Sequence, residues 1–529
     1  MKKSLLSLSI GAFIGGLTLA GAANAATSVA GTGANLTAPT ATGLALNAGG
    51  IGHIGIIPYF STQNGNHTLI SITNTDTVNG KAVKVRFRSA ANSDDVFDFT
   101  LFLSPGDVWT ADVSRDATTG LSQLFTADNS CTLPAAPALN RTFITDRLPA
   151  VTTSFTADTR ASWTREGYIE VLNMADVPPV FAAAQTYATY GAATTTNALY
   201  TTTKHNTAGA VACDSAVLSK LVTNAALTEA QLGALGLDSP TGGLYTNAFI
   251  INSANAYQAW STEATAVQAV NGTANAIGRV VFAGQTSDAV TVGTAATLTA
   301  DPLLAAGTLS PIEFDFPDLS TPYTGTAAAS AALAATQATN LSAALAVTSI
   351  KNDYSTLAAI GSKTDFTFSM PTRRYAAAVN YAGTAPALVF NAANAGHFAA
   401  ANTTLSGNLA CVAPGIANAV TGYSRSEQFL TSGAVVSPGT ASALRFCGEV
   451  SVLTINNDAN APAGKGVLGA TVAVQNVYTS YQEGWVNIST PGLGAGLPVL
   501  GSAYTSAVGA AAAGLSTNYG WTYAHKFTK

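Results

Sequence analysis

The chain has 529 residues, enough for more than one domain, and only 10% of them are charged, against roughly a quarter in ordinary globular proteins. Its 23 basic and 28 acidic side chains give a net charge of −5, which excludes the electrostatic footprint of a nucleic-acid-binding protein. A surface with so little charge repels copies of itself weakly, and it therefore tolerates close lateral contact.

The first 25 residues have the pattern of a secretory signal peptide. Lys2 and Lys3 precede an apolar run over residues 5–19, and small residues lead up to Ala25, after which cleavage is predicted. A membrane anchor is the alternative, but glycines interrupt the run and it is shorter than a good spanning helix. No later stretch offers about twenty consecutive apolar residues. We therefore expect an exported chain with no transmembrane helix after cleavage.

Residues 26–50 are dominated by Ala, Thr, Gly and Asn, which predicts a flexible lead-in or an irregular first strand. Extended structure is predicted from residue 51. Four extended runs then follow between His67 and Val113, separated by residues that favour tight turns, such as Asn79-Gly80.

The second of these runs alternates apolar and basic side chains, in the order Val83, Lys84, Val85, Arg86, Phe87 and Arg88. A strand places successive side chains on opposite faces, so one face would be apolar and the other basic. This pattern suits an antiparallel sheet that is packed on one side only. Two such sheets make a β-sandwich.

The hairpin between the second and third runs has a predictable register. If residues 90–93 centre the loop, residue numbers in the two strands sum to about 184, so Arg86 lies opposite Asp98. We expect this pair of opposite charges on the polar face, where an exposed cross-strand pair contributes roughly 0.2–1 kcal/mol.

Helical patterns interrupt the strands at two places. Residues 180–242 are predicted to be an insertion with helices at 215–225 and 227–235, the second with a capping box at Thr228 and Gln231. Residues 325–347 are Ala-rich and lack proline, which predicts a connecting helix. A Thr/Ala-rich linker is the alternative there.

The predicted fold class is therefore mainly β, with two antiparallel β-sandwich domains. The first domain covers residues 51–322 and includes the helical insertion; the second covers residues 351–529; a helical connector spans residues 323–350. A weak internal repeat supports duplication of the domain, because REGYIEV at residues 165–171 is similar to QEGWVNI at residues 482–488. Chance similarity between strands of similar composition is the alternative.

Cys131, Cys213, Cys411 and Cys447 are the four cysteines of the chain. An even number in an exported protein indicates disulfides. Three pairings are possible, and proximity in sequence favours Cys131–Cys213 and Cys411–Cys447, one bridge in each half. A zinc site would need closer spacings such as CxxC.

Catalytic motifs are absent from the sequence. The five histidines are scattered, with no HExxH and no GxSxG, although a Ser–His–Asp set could still meet in space. Asp94, Asp95 and Asp458 carry carboxylates in turns and are candidate calcium ligands. Solvated acidic turns are the alternative. No other cofactor is predicted.

One block resembles a known family. Residues 65–112, centred on NTDTVNGKAVKVRFRSAANSDDVFDFTLFLSPGDVW, resemble Gram-negative cell-surface proteins of the surface-layer type, best represented among betaproteobacteria. LPVLGSAY at residues 497–504 and NYGW at residues 518–521 are similar too. The resemblance implies an exported, β-rich, non-catalytic protein that packs into a sheath on the outer membrane. No cell-wall anchoring module is recognisable.

These observations predict a structural cell-surface protein, a surface-layer subunit whose partners are its own copies and outer-membrane components. An outer-membrane β-barrel of the porin type is an alternative, because Trp521, Tyr523 and Phe527 alternate as interfacial aromatic residues of a barrel do. A secreted adhesin or hydrolase is a further alternative.

Overall fold

The computed structural model describes residues 41–145, 155–180, 196–222, 229–254, 258–282, 317–324, 331–381, 385–392, 395–432, 435–436, 440–441, 443–458, 466–509 and 518–529. The predicted signal peptide with Ala25, the start of the lead-in and Thr228 of the predicted capping box lie outside these residues. Strands account for 47% and helices for 13%, which confirms the mainly β prediction.

The first half contains strands that run in chain order as follows: β1 (Gly43–Asn47), β2 (Ile51–Gly52), β3 (Ile54–Ser61), β4 (Asn66–Asn74), β5 (Gly80–Ser89), β6 (Asp95–Leu103), β7 (Val108–Arg115), β8 (Ser122–Phe125), β9 (Thr132–Leu133), β10 (Glu166–Val177), β11 (Leu244–Asn252), β12 (Gln258–Thr262), β13 (Thr265–Asn271) and β14 (Ala274–Asn275). Strand β1 lies in residues 26–50, for which a flexible lead-in or an irregular first strand was predicted. It pairs with β13, which agrees with the first strand rather than the flexible lead-in.

These strands form two antiparallel sheets. One has the order β1-β13-β3-β10-β5-β6-β9, and the other the order β12-β11-β4-β7-β8. Both sheets contribute to one hydrophobic cluster, with Phe87 and Phe99 from the first and Ile72 and Trp109 from the second. Each of these side chains is fully buried. The two sheets therefore pack face to face around an apolar core.

The second half contains these strands: β15 (Ala346–Val347), β16 (Ser349–Ser355), β17 (Lys363–Ser369), β18 (Ala377–Asn380), β19 (Ala387–Phe390), β20 (Thr403–Ser406), β21 (Leu409–Val412), β22 (Val420–Ser424), β23 (Phe429–Ser432), β24 (Val435–Val436), β25 (Thr440–Ala441), β26 (Phe446–Cys447), β27 (Val450–Asn456), β28 (Val474–Tyr478), β29 (Glu483–Ser489), β30 (Leu497–Pro498), β31 (Ser502–Val508), β32 (Asn518–Ala524) and β33 (Lys526–Thr528).

Two five-stranded sheets dominate this half, with the orders β23-β22-β29-β16-β33 and β28-β27-β17-β31-β32. Their shared cluster includes Ile350 and Val486 from the first sheet and Phe366 and Leu453 from the second. The only parallel pair in the described sheets is β27 with β28.

Strands β5 and β6 are buried along their whole length, so the prediction that their sheet is packed on one side only is wrong. The outer face of this sheet is covered by the helical insertion, by the Ala-rich helix and by the second half. Met174 of this sheet, Leu221 of the insertion, Leu341 of the Ala-rich helix and Val452 of the second half lie in a single hydrophobic cluster. The two halves therefore share a core.

Helices are short apart from one: α1 (Ala136–Leu139), α2 (Ala157–Trp163), α3 (Ala198–Thr203), α4 (Ser215–Leu218), α5 (Glu229–Ala234) and α6 (Ala331–Leu345). The insertion is helical as predicted, although α4 ends earlier than the sequence suggests. Helix α6 buries Ala338, Leu341 and Leu345, so it is a packed element rather than a free linker. Among the described residues, no helix is long and apolar enough to cross a membrane.

The two segments of this internal repeat occupy equivalent positions in their sheets. Strand β10 lies between β3 and β5, and β29 lies between β22 and β16. A Cβ atom added to Gly167 would come within 1.7 Å of the Arg88 carbonyl oxygen, and one added to Gly484 within 1.7 Å of the Tyr423 carbonyl oxygen. In both strands a neighbouring backbone thus approaches so closely that only glycine fits, which supports duplication.

Candidate functional site

Much of the charge of this protein lies inside it. The buried charged side chains are Asp76, Lys81, Lys84, Arg86, Arg88, Asp94, Asp95, Asp98, Arg165, Glu166, Glu170, Asp176, Asp318, Asp365, Arg373, Arg374 and Glu449. These 17 side chains all belong to the part of the chain that the structure describes, and the whole sequence has 23 basic and 28 acidic residues. Charged groups are rarely buried unless they are paired.

The basic face of β5 is bonded to the strands on either side of it. Lys84 donates to Asp98 and Arg86 donates to Asp95, both on or at the start of β6. Arg88 donates from Nε to Glu170 Oε1 on β10 at 3.2 Å. Asp98 and Glu170 both lie opposite Arg86 in the register, so each accepts from a basic residue two positions along the same face of β5 rather than from the residue directly opposite.

A second group of ion pairs connects this face to the second half. Arg374 Nη1 donates to Asp318 Oδ2 at 3.3 Å, and Tyr375 Oη donates to the same oxygen at 2.9 Å. Within the second half, Arg373 Nη2 lies 3.0 Å from Glu449 Oε1. Burial raises the pKa of Glu170, against the charges of Arg88 and Arg374, and Asp318 raises it further. The groups therefore form one electrostatic layer between the halves.

Lys81 forms a separate buried site at the start of β5. Its Nζ atom donates to Asp176 Oδ1 at 2.7 Å, to Thr241 Oγ1 at 2.8 Å and to Asp76 Oδ2 at 3.3 Å. Burial opposes the ionisation of Asp76, but Lys81 and the N–H groups of Asn79 and Val78 outweigh it and lower the pKa. This site ties the loop before β5 to the end of β10.

Two buried carboxylates hold one segment of the second half. Glu166 Oε1 accepts from Thr471 N at 2.7 Å and from Gln63 Nε2 at 2.9 Å. Asp365 Oδ2 accepts from Leu468 N at 2.8 Å. Burial raises the pKa of Glu166 and raises the pKa of Asp365 to about 6. Backbone N–H groups thus replace cations as the partners of these two acids.

The predicted calcium ligands are not brought together. Asp94 and Asp95 are 7% and 1% exposed, and Asp458 is exposed elsewhere in the chain. The alternative of a solvated acidic turn does not hold for Asp95 either, because its carboxylate is bonded to Arg86 in the interior. In the part of the chain that the structure describes, no group of three His, Cys, Asp or Glu side chains could hold a metal ion.

Both predicted disulfides are confirmed. Cys131–Cys213 connects the segment before β9 to the helical insertion, and Cys411–Cys447 connects directly opposed residues of β21 and β26. The residues after Cys447 reach the first half, because Glu449 N donates to the carbonyl oxygen of Ala90 at 2.7 Å. The second disulfide therefore supports a contact between the halves.

The structure also brings a serine, a histidine and an aspartate together, which sequence spacing did not indicate. Ser104 Oγ lies 2.7 Å from His205 Nδ1, and Asp107 Oδ2 lies 3.4 Å from the same nitrogen. His205 Nε2 lies 3.0 Å from Asn129 Oδ1. A catalytic triad uses opposite ring nitrogens for its serine and its carboxylate, so this cluster has the geometry of a loop contact.

An aromatic row crosses the outer face of the β23-β22-β29-β16-β33 sheet. Phe429, Tyr423, Trp485 and Asp353 are successive cross-strand partners. The rings of Tyr423 and Trp485 stack with centroids 4.0 Å apart and an interplanar angle of 5°. Phe429, at the end of the row, is 67% exposed. Alternation along β29 could have predicted Trp485 on this face, but not the row, which depends on sheet order.

Comparison with known proteins gives no match to a family model, to a curated protein or to a solved structure.

Proposed function

We propose that this chain is an exported structural protein of the cell surface, whose copies associate side by side into an array. The observation that carries the proposal is the distribution of side chains between interior and surface. Seventeen charged side chains of the described residues are buried, whereas Phe429, Tyr519, Tyr523 and Phe527 are each at least 50% exposed. Such a surface favours contact with other protein surfaces and opposes it weakly through charge.

The interior of the protein supports the same role. An array subunit must keep its shape under lateral load. Here the halves share one core and are also joined by Trp260 Nε1, which donates to the Thr505 carbonyl oxygen at 2.8 Å. Two disulfides restrict the unfolded chain further.

The aromatic row is the surface that we assign to subunit contact. It lies on strands rather than on loops, so its rings are held in fixed positions. Because each subunit of an array meets several neighbours, individual contacts can be small. The resemblance to surface-layer proteins, stated above from residues 65–112, agrees with this assignment, and outer-membrane components remain the proposed partners for attachment.

Sedimentation velocity at rising protein concentration tests the proposal. We expect larger species to form as concentration rises, and we expect Phe429→Ser to reduce them. Phe125→Ser is the matched control, because Phe125 is 55% exposed but lies on β8 in the other half. A chain that stays monomeric at high concentration, with and without outer-membrane components, would contradict the proposal. Equal loss of the larger species in both variants would show that the aromatic row is not the contact surface.

A further inference from the structure

Three of the eleven lysines in the chain lie at one corner of the second half: Lys351, Lys526 and Lys529. Lys351 and Lys526 are direct cross-strand partners in β16 and β33. Like charges in such positions destabilise a sheet. Among the described residues, the ammonium groups of Lys351 and Lys529 donate to hydroxyl and carbonyl oxygens, not to carboxylates. Within the described part of the chain, the hydrogen bonds of Lys351 and Lys529 therefore leave their positive charges without an ion-pair partner.

The corner borders a crevice of about 540 Å³ between the two halves. Lys526 and Lys529 line it, together with Glu263. Most of its wall is apolar and is formed by Leu46, Pro58, Leu345, Val347, Ile350 and Val499. Val347 and Ile350 are only 3% and 2% exposed, so the crevice reaches down to the hydrophobic core.

We propose that this crevice binds an anionic amphiphile. Its alkyl chain lies against Leu345, Val347 and Ile350, and its carboxylate or phosphate head group is bound by Lys526 and Lys529. A small inorganic anion would leave the apolar part of the crevice unfilled, and an uncharged amphiphile would supply no counter-charge to the two ammonium groups. Only a ligand with both parts matches both features of the site.

The partial burial of Lys529 agrees with such a ligand. Partial burial lowers the pKa of its ammonium group, and an anion beside it would offset that cost. Its Nζ atom also lies 5.9 Å from the centre of the Phe527 ring, which holds the charge near the opening of the crevice. This site does not depend on array formation, because every residue in it belongs to one copy.

Calorimetric titration of the monomeric chain tests the proposal with four probes: dodecanoate, dodecyl phosphate, dodecyl maltoside and inorganic phosphate, the detergents kept below their micelle concentrations. We expect saturable 1:1 binding of the two anionic amphiphiles. We expect the uncharged maltoside to bind at least about tenfold more weakly, and inorganic phosphate to give no measurable binding.

Two variants test the two parts of the site separately. The double variant Lys526→Gln/Lys529→Gln should weaken binding of the anionic amphiphiles at least about tenfold and leave the maltoside unchanged. Ala264→Phe, at the wall of the crevice, should weaken all amphiphiles. Lys204→Gln is the control, because Lys204 stacks on Tyr200 in the insertion and should change nothing.

Equal affinity for charged and uncharged amphiphiles, or binding that the lysine double variant does not weaken, would overturn the proposal. Binding of inorganic phosphate as strong as that of dodecyl phosphate would overturn it too. Vesicles containing phosphatidylglycerol, compared with phosphatidylcholine vesicles, distinguish the source of the ligand. Lysine-dependent binding to the anionic vesicles identifies the ligand as a membrane lipid. Binding of monomeric dodecanoate without binding to the vesicles identifies it as a free amphiphile.

Discussion

Arg86 lies directly opposite Asp98 across the β5–β6 pair, yet its guanidinium group is bonded to Asp95, while Asp98 accepts from Lys84. The predicted register is confirmed and the predicted exposure is wrong, because Arg86 and Asp98 are 0% and 6% exposed. A pair that would contribute little on a surface thus belongs to a buried network, where removing one partner leaves an uncompensated charge.

Replacing Arg86 with methionine should therefore be costly. We expect Arg86→Met to lower the free energy of unfolding by about 3–5 kcal/mol, because Asp95 loses its buried cation. Arg425→Met is the control, since Arg425 pairs with Glu483 at 2.6 Å but is 75% exposed, and exposed pairs contribute roughly 0–1 kcal/mol. Urea unfolding measures both. Similar losses in the two variants would show that the buried network contributes no more than a surface pair.

Asp365 should make the protein less stable as pH rises. Its pKa is about 6 in the folded chain, against the ordinary aspartate value of 3.8, so the folded state binds the proton more tightly. Its contribution is most favourable below pH 3.8 and is lost as pH rises to 6, by about 3 kcal/mol. The stability difference between the wild type and Asp365→Asn, measured from pH 4 to 7, should fall over this window. A flat difference would contradict the prediction.

His525 and His67 should have opposite effects. Burial lowers the pKa of His525 from 6.5 to about 4, so the stability that it contributes is present above pH 6.5 and is lost as pH falls toward 4. A hydrogen bond to Asp112 raises the pKa of His67, so its contribution is present below pH 6.5 and is lost as pH rises through the raised value. His525→Gln should reduce acid sensitivity between pH 6.5 and 4, and His67→Gln should not. If the stability of the two variants depended on pH in the same way, the opposite roles assigned to His525 and His67 would be wrong.

The two disulfides should stabilise the chain by similar amounts. They close loops of 82 and 36 residues, for which the chain-entropy model gives about 4 kcal/mol each. Replacing both cysteines of either bridge with serine should lower the free energy of unfolding by about that amount. The Cys411/Cys447 double variant should also increase hydrogen exchange at Glu449 N, which donates to Ala90 across the halves. Unchanged exchange there would show that the bridge does not support this contact.

Chelation should leave any array intact. Asp95 is bonded to Arg86, and Asp94 and Asp95 are only 7% and 1% exposed. Of the three candidate ligands this leaves Asp458 exposed, and a single carboxylate supplies too few oxygen ligands to hold calcium between copies. We expect EDTA to leave the sedimentation profile unchanged and mild denaturant to disperse the larger species. Dispersal by EDTA, reversed by added calcium, would restore calcium bridging as the basis of assembly.

Local features of the sequence predicted much of the fold. Period-two alternation in β5 and β6 predicted the strands and their register, because side-chain direction in a strand depends only on position along it. The cysteine spacing predicted both disulfides, since short separations favour pairing when the chain enters an oxidising compartment. The helical insertion and the Ala-rich helix were also predicted from local sequence, through their residue composition.

Only the tertiary structure decided which surfaces face water. The alternation of β5 shows that one face carries Lys84, Arg86 and Arg88, but it cannot show that β10, β6 and the second half supply acids to that face. The aromatic row through Tyr423 and Trp485 and the crevice beside Lys526 likewise depend on the order of strands in a sheet and on contacts between halves distant in sequence. Burial is a property of the whole packed chain, so a charged strand face looks the same in sequence whether solvent or an opposite charge covers it.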